Sequence, residues 1–191
     1  MRTRLGIEAL PRRPDLEAAR ELLRSYRPHC EDQAHTQARM LAFIDEHPLD
    51  AHRRTQLTGH LTASALLIDA SGTRALLTHH RKLNRWLQLG GHCDGDANLA
   101  GAALREALEE SGIPELCIDP MPIDLDIHTI PARPGEPEHL HLDTRFVVHA
   151  PAGAMERLSE ESHALAWVAP HELEALSTDE SVRRLFRLCF R

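Results

Sequence analysis

Three glutamates, Glu106, Glu109 and Glu110, stand at i, i+3 and i+4 in the stretch LAGAALREALEESGI. At about 100° per residue they share one side of a helix, with Ala100, Leu104, Ala107 and Leu108 on the other. Each like-charged pair at this spacing opposes the helix by ~0.2–0.5 kcal/mol, and the negative helix C-terminus adds ~0.3–1 kcal/mol per charge. A hard divalent cation offsets both terms, because Mg2+ and Mn2+ prefer oxygen ligands and bridge carboxylates to phosphates. A solvated acidic face is the alternative that the trio alone leaves open. Gly90 and Gly91 precede the helix and let a backbone carbonyl approach the same ion.

The elements that must position these groups are legible on both sides. Pro14 suits a first helical turn, and Leu16, Ala19, Leu22, Leu23 and Tyr26 recur at helical spacing. A second stripe, Ala34, Ala38, Leu41 and Ile44, ends at Pro48. Two helices are thus expected within residues 14–47, their apolar face packed on the main domain or on a second subunit.

Near residue 58 the texture changes. HLTASALLIDA and RALLTHH read as a hairpin around Ser71-Gly72, and WLQLGG as one short strand. Residues 98–111 read as a helix that Gly112 caps. IDLDIHTI and HLHLDTRFVVHA read as strands around a Pro-rich loop, ALAWVA as a further strand, and residues 170–176 and 178–189 as helical. Strands before and after a central helix predict a layered α/β domain. Neither GxxxxGK[ST] nor GxGxxG occurs, so those phosphate cradles are excluded.

A chain of 191 residues accommodates one domain with an extension. Its formal net charge of −7 argues against a nucleic-acid polymer or a membrane surface as partner. A small anionic substrate remains open, since a bound cation reverses the local sign. No run of 18 apolar residues predicts a membrane span, and MRTRLGIEALPRRPD lacks the apolar core of a signal peptide, so a cytoplasmic location is expected. Cys30, Cys93, Cys117 and Cys189 are scattered without a C-x-x-C pair, which disfavours a disulfide framework or a cysteine zinc site.

Gly91, five residues, Ala97, seven residues, and then Arg105-Glu106-Ala107-Leu108-Glu109-Glu110-Ser111-Gly112-Ile113 resemble the Nudix box, G-x5-E-x7-R-E-U-x-E-E-x-G-U. The box spans 23 residues, and the order of elements is similar to the Nudix family from about residue 58 onward. The resemblance implies an α/β fold, a Nudix-type α/β/α sandwich with a mixed β-sheet. Residues 1–55 would form an N-terminal helical extension and residues 56–191 the Nudix hydrolase domain. It also implies hydrolysis of a pyrophosphate bond in a nucleoside diphosphate linked to another moiety, with Mg2+ or Mn2+ as cofactor.

Carried over by position, Glu106, Glu109 and Glu110 would be metal ligands, and the carbonyl of Gly90 a further one. Arg105 would orient the carboxylates, and a glutamate near the attacking water would act as general base. A small nucleoside diphosphate derivative is the expected partner, and a homodimer built through the N-terminal helices is left open.

Ala97 departs from the pattern, because the family places its first box glutamate there. Asp94 or Asp96 is expected to take over the acidic role. The other readings are that the role is dispensable, or that the chain is a catalytically weak or inactive nucleotide-binding regulator. An additional base is expected from Glu161 or Glu160, with Glu136 and Glu138 as weaker alternatives. His139, His141 and Asp143 alternate with Leu140 and Leu142, and offer either the polar face of a half-buried strand or substrate contact. Arg145 is expected to join them only if the strand twists or ends. A separate zinc site is a further reading of the histidines, since imidazole suits zinc. His79, His80 and His92 lie near the expected site in sequence. Trp86 is read as core or as a stacking platform.

Overall fold

Strand β1, Gly59–Ile68, is buried along its whole length and organises the molecule. In the computed structural model, which describes residues 3–81, 83–158 and 162–190, it lies parallel to β7 (His139–His149). The register runs from Gly59 opposite Leu140 to Ile68 opposite His149. Its other edge is shared by β2 (Ala75–His80) at one end and β4 (Leu89–His92) at the other, both antiparallel. β3 (Arg85–Leu87) and β8 (Ser162–Val168) pair with β2, whereas β5 (Cys117–Ile118) and β6 (Asp124–Ile130) pair with β7.

Side chains alternate across the sheet, and each face has its own helices. Leu61, Ala63, Ala65 and Leu67 join one core with α1 (Glu17–Ser25), α2 (Glu31–Glu46) and α3 (Leu99–Ser111). Leu66, Ile68 and Val147 face the other way, onto Val182, Leu185 and Phe186 of α4 (Glu180–Cys189). The result is the α/β/α sandwich around a mixed sheet. A 3-10 turn, Pro170–Ala175, stands where the sequence reads as helical.

The N-terminal helices spend their apolar stripe on this chain's own sheet. Ala19, Leu23, Met40 and Ile44 are buried in the same core as α3. Gln33 of α2 also seals the outer edge of β6, donating to Leu125 O at 2.8 Å and accepting from Leu125 N at 3.0 Å. That side-chain amide substitutes for a neighbouring strand. None of the described helices is long and apolar enough to cross a membrane, and the four cysteines are free thiols.

Two details differ from expectation. WLQLGG forms two strands rather than one, because the chain leaves β2 after Leu87 and joins β1 at Leu89. β5 was not legible, because two residues are too short to show alternation.

Candidate metal and phosphate site

α3 is built to hold its acidic face in place. Asn98 caps its start, accepting from Gly101 N at 3.2 Å, and Gly112 ends it at φ 63°. Leu99, Ala100, Ala103, Leu104 and Ala107 are buried, which leaves Glu106 and Glu110 half-buried and Glu109 exposed. The glycine pair of β4 is indispensable to this arrangement. A Cβ on Gly91 would lie 2.5 Å from the Glu106 carboxylate, and one on Gly90 would lie 2.6 Å from Ser64 Cα. Gly90 also adopts φ 148°, a value that L side chains rarely tolerate. Its N–H donates to Glu110 Oε2 at 3.2 Å. Glu106, Glu110 and the Gly90–Gly91 backbone therefore converge.

Arg105 bridges the loop and the helix. Its guanidinium lies 3.3 Å from Asp96 and 3.7 Å from Glu106, and donates to His92 O at 3.4 Å. Asp96 is 1% exposed and also accepts from Arg13 N at 2.9 Å and Asn98 N at 3.0 Å. Asp94 is held by both guanidinium branches of Arg54, at 2.8 and 2.7 Å, which keep its carboxyl below the usual carboxylate range. These are the two acids expected to stand in for the glutamate missing at Ala97. Both are engaged by arginines, and Asp96 orders the loop.

Ala97 itself is fully buried in the main core, and its N–H donates to Arg13 O at 2.6 Å. Asn98 Nδ2 donates to Pro11 O at 3.0 Å, so residues 11–13 strap this loop from outside. Ala97→Glu is therefore expected to force a charged chain under the strap, not to regain a ligand. We expect a loss of about 1–3 kcal/mol from overpacking, read as a lower urea midpoint with no gain in turnover. A faster enzyme of unchanged stability would contradict this.

Glu160 and Glu161 lie outside the described residues. Glu136 and Glu138 are exposed, and Glu136 Oε1 lies 3.8 Å from His139 Nε2. His79 stacks on half-buried Trp86 at 5.0 Å, apart from the other histidines considered below.

Asp143 is not open to a substrate. It is buried, accepting from Thr62 Oγ1 at 3.0 Å, Ser64 Oγ at 2.7 Å and Arg145 Nε at 2.9 Å. Arg145 needs no strand twist to reach it, since residues two apart on a strand share a face. At 1% exposure, Arg145 also lies 3.3 Å from Asp124 and 3.1 Å from Asp126, and donates to Ser181 Oγ at 3.1 Å. Arg184 of α4 closes the network at 2.8 Å from Asp124 and 2.7 Å from Asp126. Burial alone would raise the Asp126 carboxyl; the His128 hydrogen bond and the two guanidiniums outweigh it and hold it well below its ordinary range. The charges at Asp124, Asp126, Asp143 and Arg145 alternate in the sequence, and that was the available signal.

Farther along the same face the polar groups are imidazoles. His60 lies directly opposite His141, and His92 opposite Thr62. Ring centroids are 4.9–5.2 Å apart among His60, His92 and His141. His139 stacks on His60 at 5.0 Å, and His128 meets His141 at 5.4 Å. Burial first, then crowding by the other rings, lowers His60 to about 4 and His141 to about 2.

A pH dependence follows from the sign of these shifts. Both folded-state values lie below the unfolded value of about 6.5, so the unfolded chain binds more protons as pH falls. The associated stability is complete above pH ~6.5 and is lost toward pH ~4 for His60 and pH ~2 for His141, at up to ~1.4 kcal/mol per pH unit per histidine. His92, His128, His139 and Glu136 face the same pair and shape the curve. Urea midpoints in chelating buffer should fall through this window, and His141→Gln should flatten the fall. An equal slope in wild type and variant would show that His141 does not titrate as described.

The family model for the NUDIX domain matches residues 58–189, more than half of the chain. No curated protein matches. Among solved structures, a NUDIX-family hydrolase from Clostridium perfringens aligns with TM-score 0.53 at 23% identity, covering 72% of this chain and 95% of that one. An Ap4A hydrolase from C. elegans, solved as a binary complex, aligns with TM-score 0.54 at 18% identity, covering 66% and 92%. A bifunctional NMN adenylyltransferase/ADP-ribose pyrophosphatase from Francisella tularensis, complexed with AMP and a Mn ion, aligns with TM-score 0.50 at 14% identity, covering 84% and 48%.

Proposed function

Because the chain belongs to the Nudix family, we propose that it hydrolyses a pyrophosphate bond in a nucleoside diphosphate linked to another moiety, with Mg2+ or Mn2+ as cofactor. The family makes it a hydrolase of the pyrophosphohydrolase class. The observation that carries the finer reading is the convergence of Glu106 and Glu110 on side-chain-free backbone at Gly90 and Gly91.

The donor set fits the cation. Glu106, Glu109, Glu110 and the Gly90 carbonyl are hard oxygen donors, the class that Mg2+ and Mn2+ prefer. The space a Cβ would fill at Gly91 is taken by the Glu106 carboxylate. These residues would hold a cation, which would supply charge to neutralise phosphoryl oxygens and to make a water more acidic. Arg105 keeps Glu106 oriented while pairing with Asp96. Glu109 reaches solvent and is a candidate to receive the water's proton, with Glu161 as the other candidate base.

The two neighbours' names include Ap4A and ADP-ribose, both nucleotides joined through phosphoanhydrides. They define the start of a screen that also takes in nucleotide sugars, nucleoside triphosphates and non-nucleotide diphosphates, each with Mg2+ and with Mn2+. Release of a phosphate-containing product from one class supports the proposal. A second reading, a nucleotide-binding regulator without turnover, is favoured by the one departure at Ala97. Binding without hydrolysis across the whole panel would decide for it.

A further inference from the structure

We propose that His60, His92 and His141 form a second cation site, separate from the glutamates of α3, that takes a borderline divalent ion of the zinc class. Among the described residues these three present ligand atoms all within 4.8 Å of one another. They come from β1, β4 and β7, and the register fixes them: His60 is paired with His141, and His92 with Thr62, two residues along from His60.

The state of the ring nitrogens points the same way. His60 is 2% exposed, and the Nε2 atoms of His60 and His141 are buried without a hydrogen-bond partner. His60 Nδ1 lies 3.4 Å from Gln56 O, which places the ring proton on Nδ1 and the lone pair on Nε2. A carbonyl behind a histidine in this way is the usual support of a metal ligand. His139 borders the trio with a similar design, its Nδ1 2.9 Å from Pro137 O and its Nε2 without a hydrogen-bond partner though 3.8 Å from Glu136 Oε1, and is the candidate fourth ligand.

The donor chemistry separates this site from the first. Nitrogen ligands suit Zn2+, Co2+, Ni2+ and Cu2+, whereas Mg2+ and Mn2+ favour the carboxylates. Tetrahedral zinc at its usual 2.0–2.1 Å from nitrogen needs ligand atoms about 3.4 Å apart. Zinc binding would draw the three ring nitrogens together from the 4.8 Å within which they now lie. The bound ion would tie β1, β4 and β7 together two residues from Gly90.

The test uses the whole chain, stripped with a chelator and then held in excess Mg2+ to fill the carboxylates. Zn2+ is expected to bind as a single equivalent and to shift the imidazole 15N resonances of His60, His92 and His141. Co2+ in its place should give the visible bands of a nitrogen-coordinated ion. His60→Gln and His141→Gln should each weaken Zn2+ binding by more than the ~10–100-fold that loss of a mere outer-shell partner costs, and Glu109→Gln should leave it unchanged. Zn2+ binding that survives both histidine changes, or that Glu109→Gln removes, overturns the proposal. So does an absent 15N response in the wild type, a reading that depends on no variant's folding. A response to inorganic phosphate but not to Zn2+ would make the cluster a substrate contact and also overturn it. Hydrolysis is not a readout here, so failure would leave the α3 assignment standing.

Discussion

Glu110→Gln is expected to lower turnover by about 10²–10³-fold, the usual loss when one group that stabilises transition-state charge is removed. The change is nearly isosteric, and the amide oxygen of glutamine can still accept from Gly90 N, now bonded to Glu110 at 3.2 Å. Folding should therefore be spared while the carboxylate charge is lost. Glu109→Gln should cost about 10²–10⁴-fold if Glu109 receives the proton of the attacking water. The measurement is kcat on the best substrate of the screen, across a titration of Mg2+ or Mn2+, with thermal melting as the control for folding. Excess cation should recover part of a pure binding defect and none of a lost base. Turnover within a few-fold of wild type in both variants would remove α3 from the chemistry.

Arg145→Met should be the most damaging change to stability. The guanidinium is buried among Asp124, Asp126 and Asp143, and Arg184 reaches only the first two. Its loss leaves Asp143 with two hydroxyls for its charge. Breaking a buried pair in this way costs about 3–5 kcal/mol, a large fraction of the ~5–15 kcal/mol that holds a domain folded. Chemical denaturation at pH 8 reads the loss, and adding Asp143→Asn should recover part of it. A deficit below about 1 kcal/mol would show that Arg145 contributes packing rather than charge balance.

What the sequence made legible was local. Glu106, Glu109 and Glu110 declare a helix face by spacing alone, and Gly90 and Gly91 announce a close backbone approach, which the structure shows against Ser64 and Glu106. The surroundings of Ala97 were not legible, because the carbonyl that meets its N–H belongs to Arg13, far upstream. The imidazole group was hidden for a related reason. Alternation in HLHLDTRF shows which residues share a face, but only the pairing of β1 with β7 places His60 beside His141. The buried arginine network likewise joins β6, β7 and α4, and no single stretch contains it.

The strap of residues 11–13 bears on where this protein can be divided. The family match begins at residue 58, yet the loop that leads into α3 is tied down by Arg13 and Pro11. Ala19, Leu23, Met40 and Ile44 complete the core on which α3 rests. A fragment cut at that boundary would bare that core and release the loop, exposing apolar side chains that α3 now shares with the N-terminal helices.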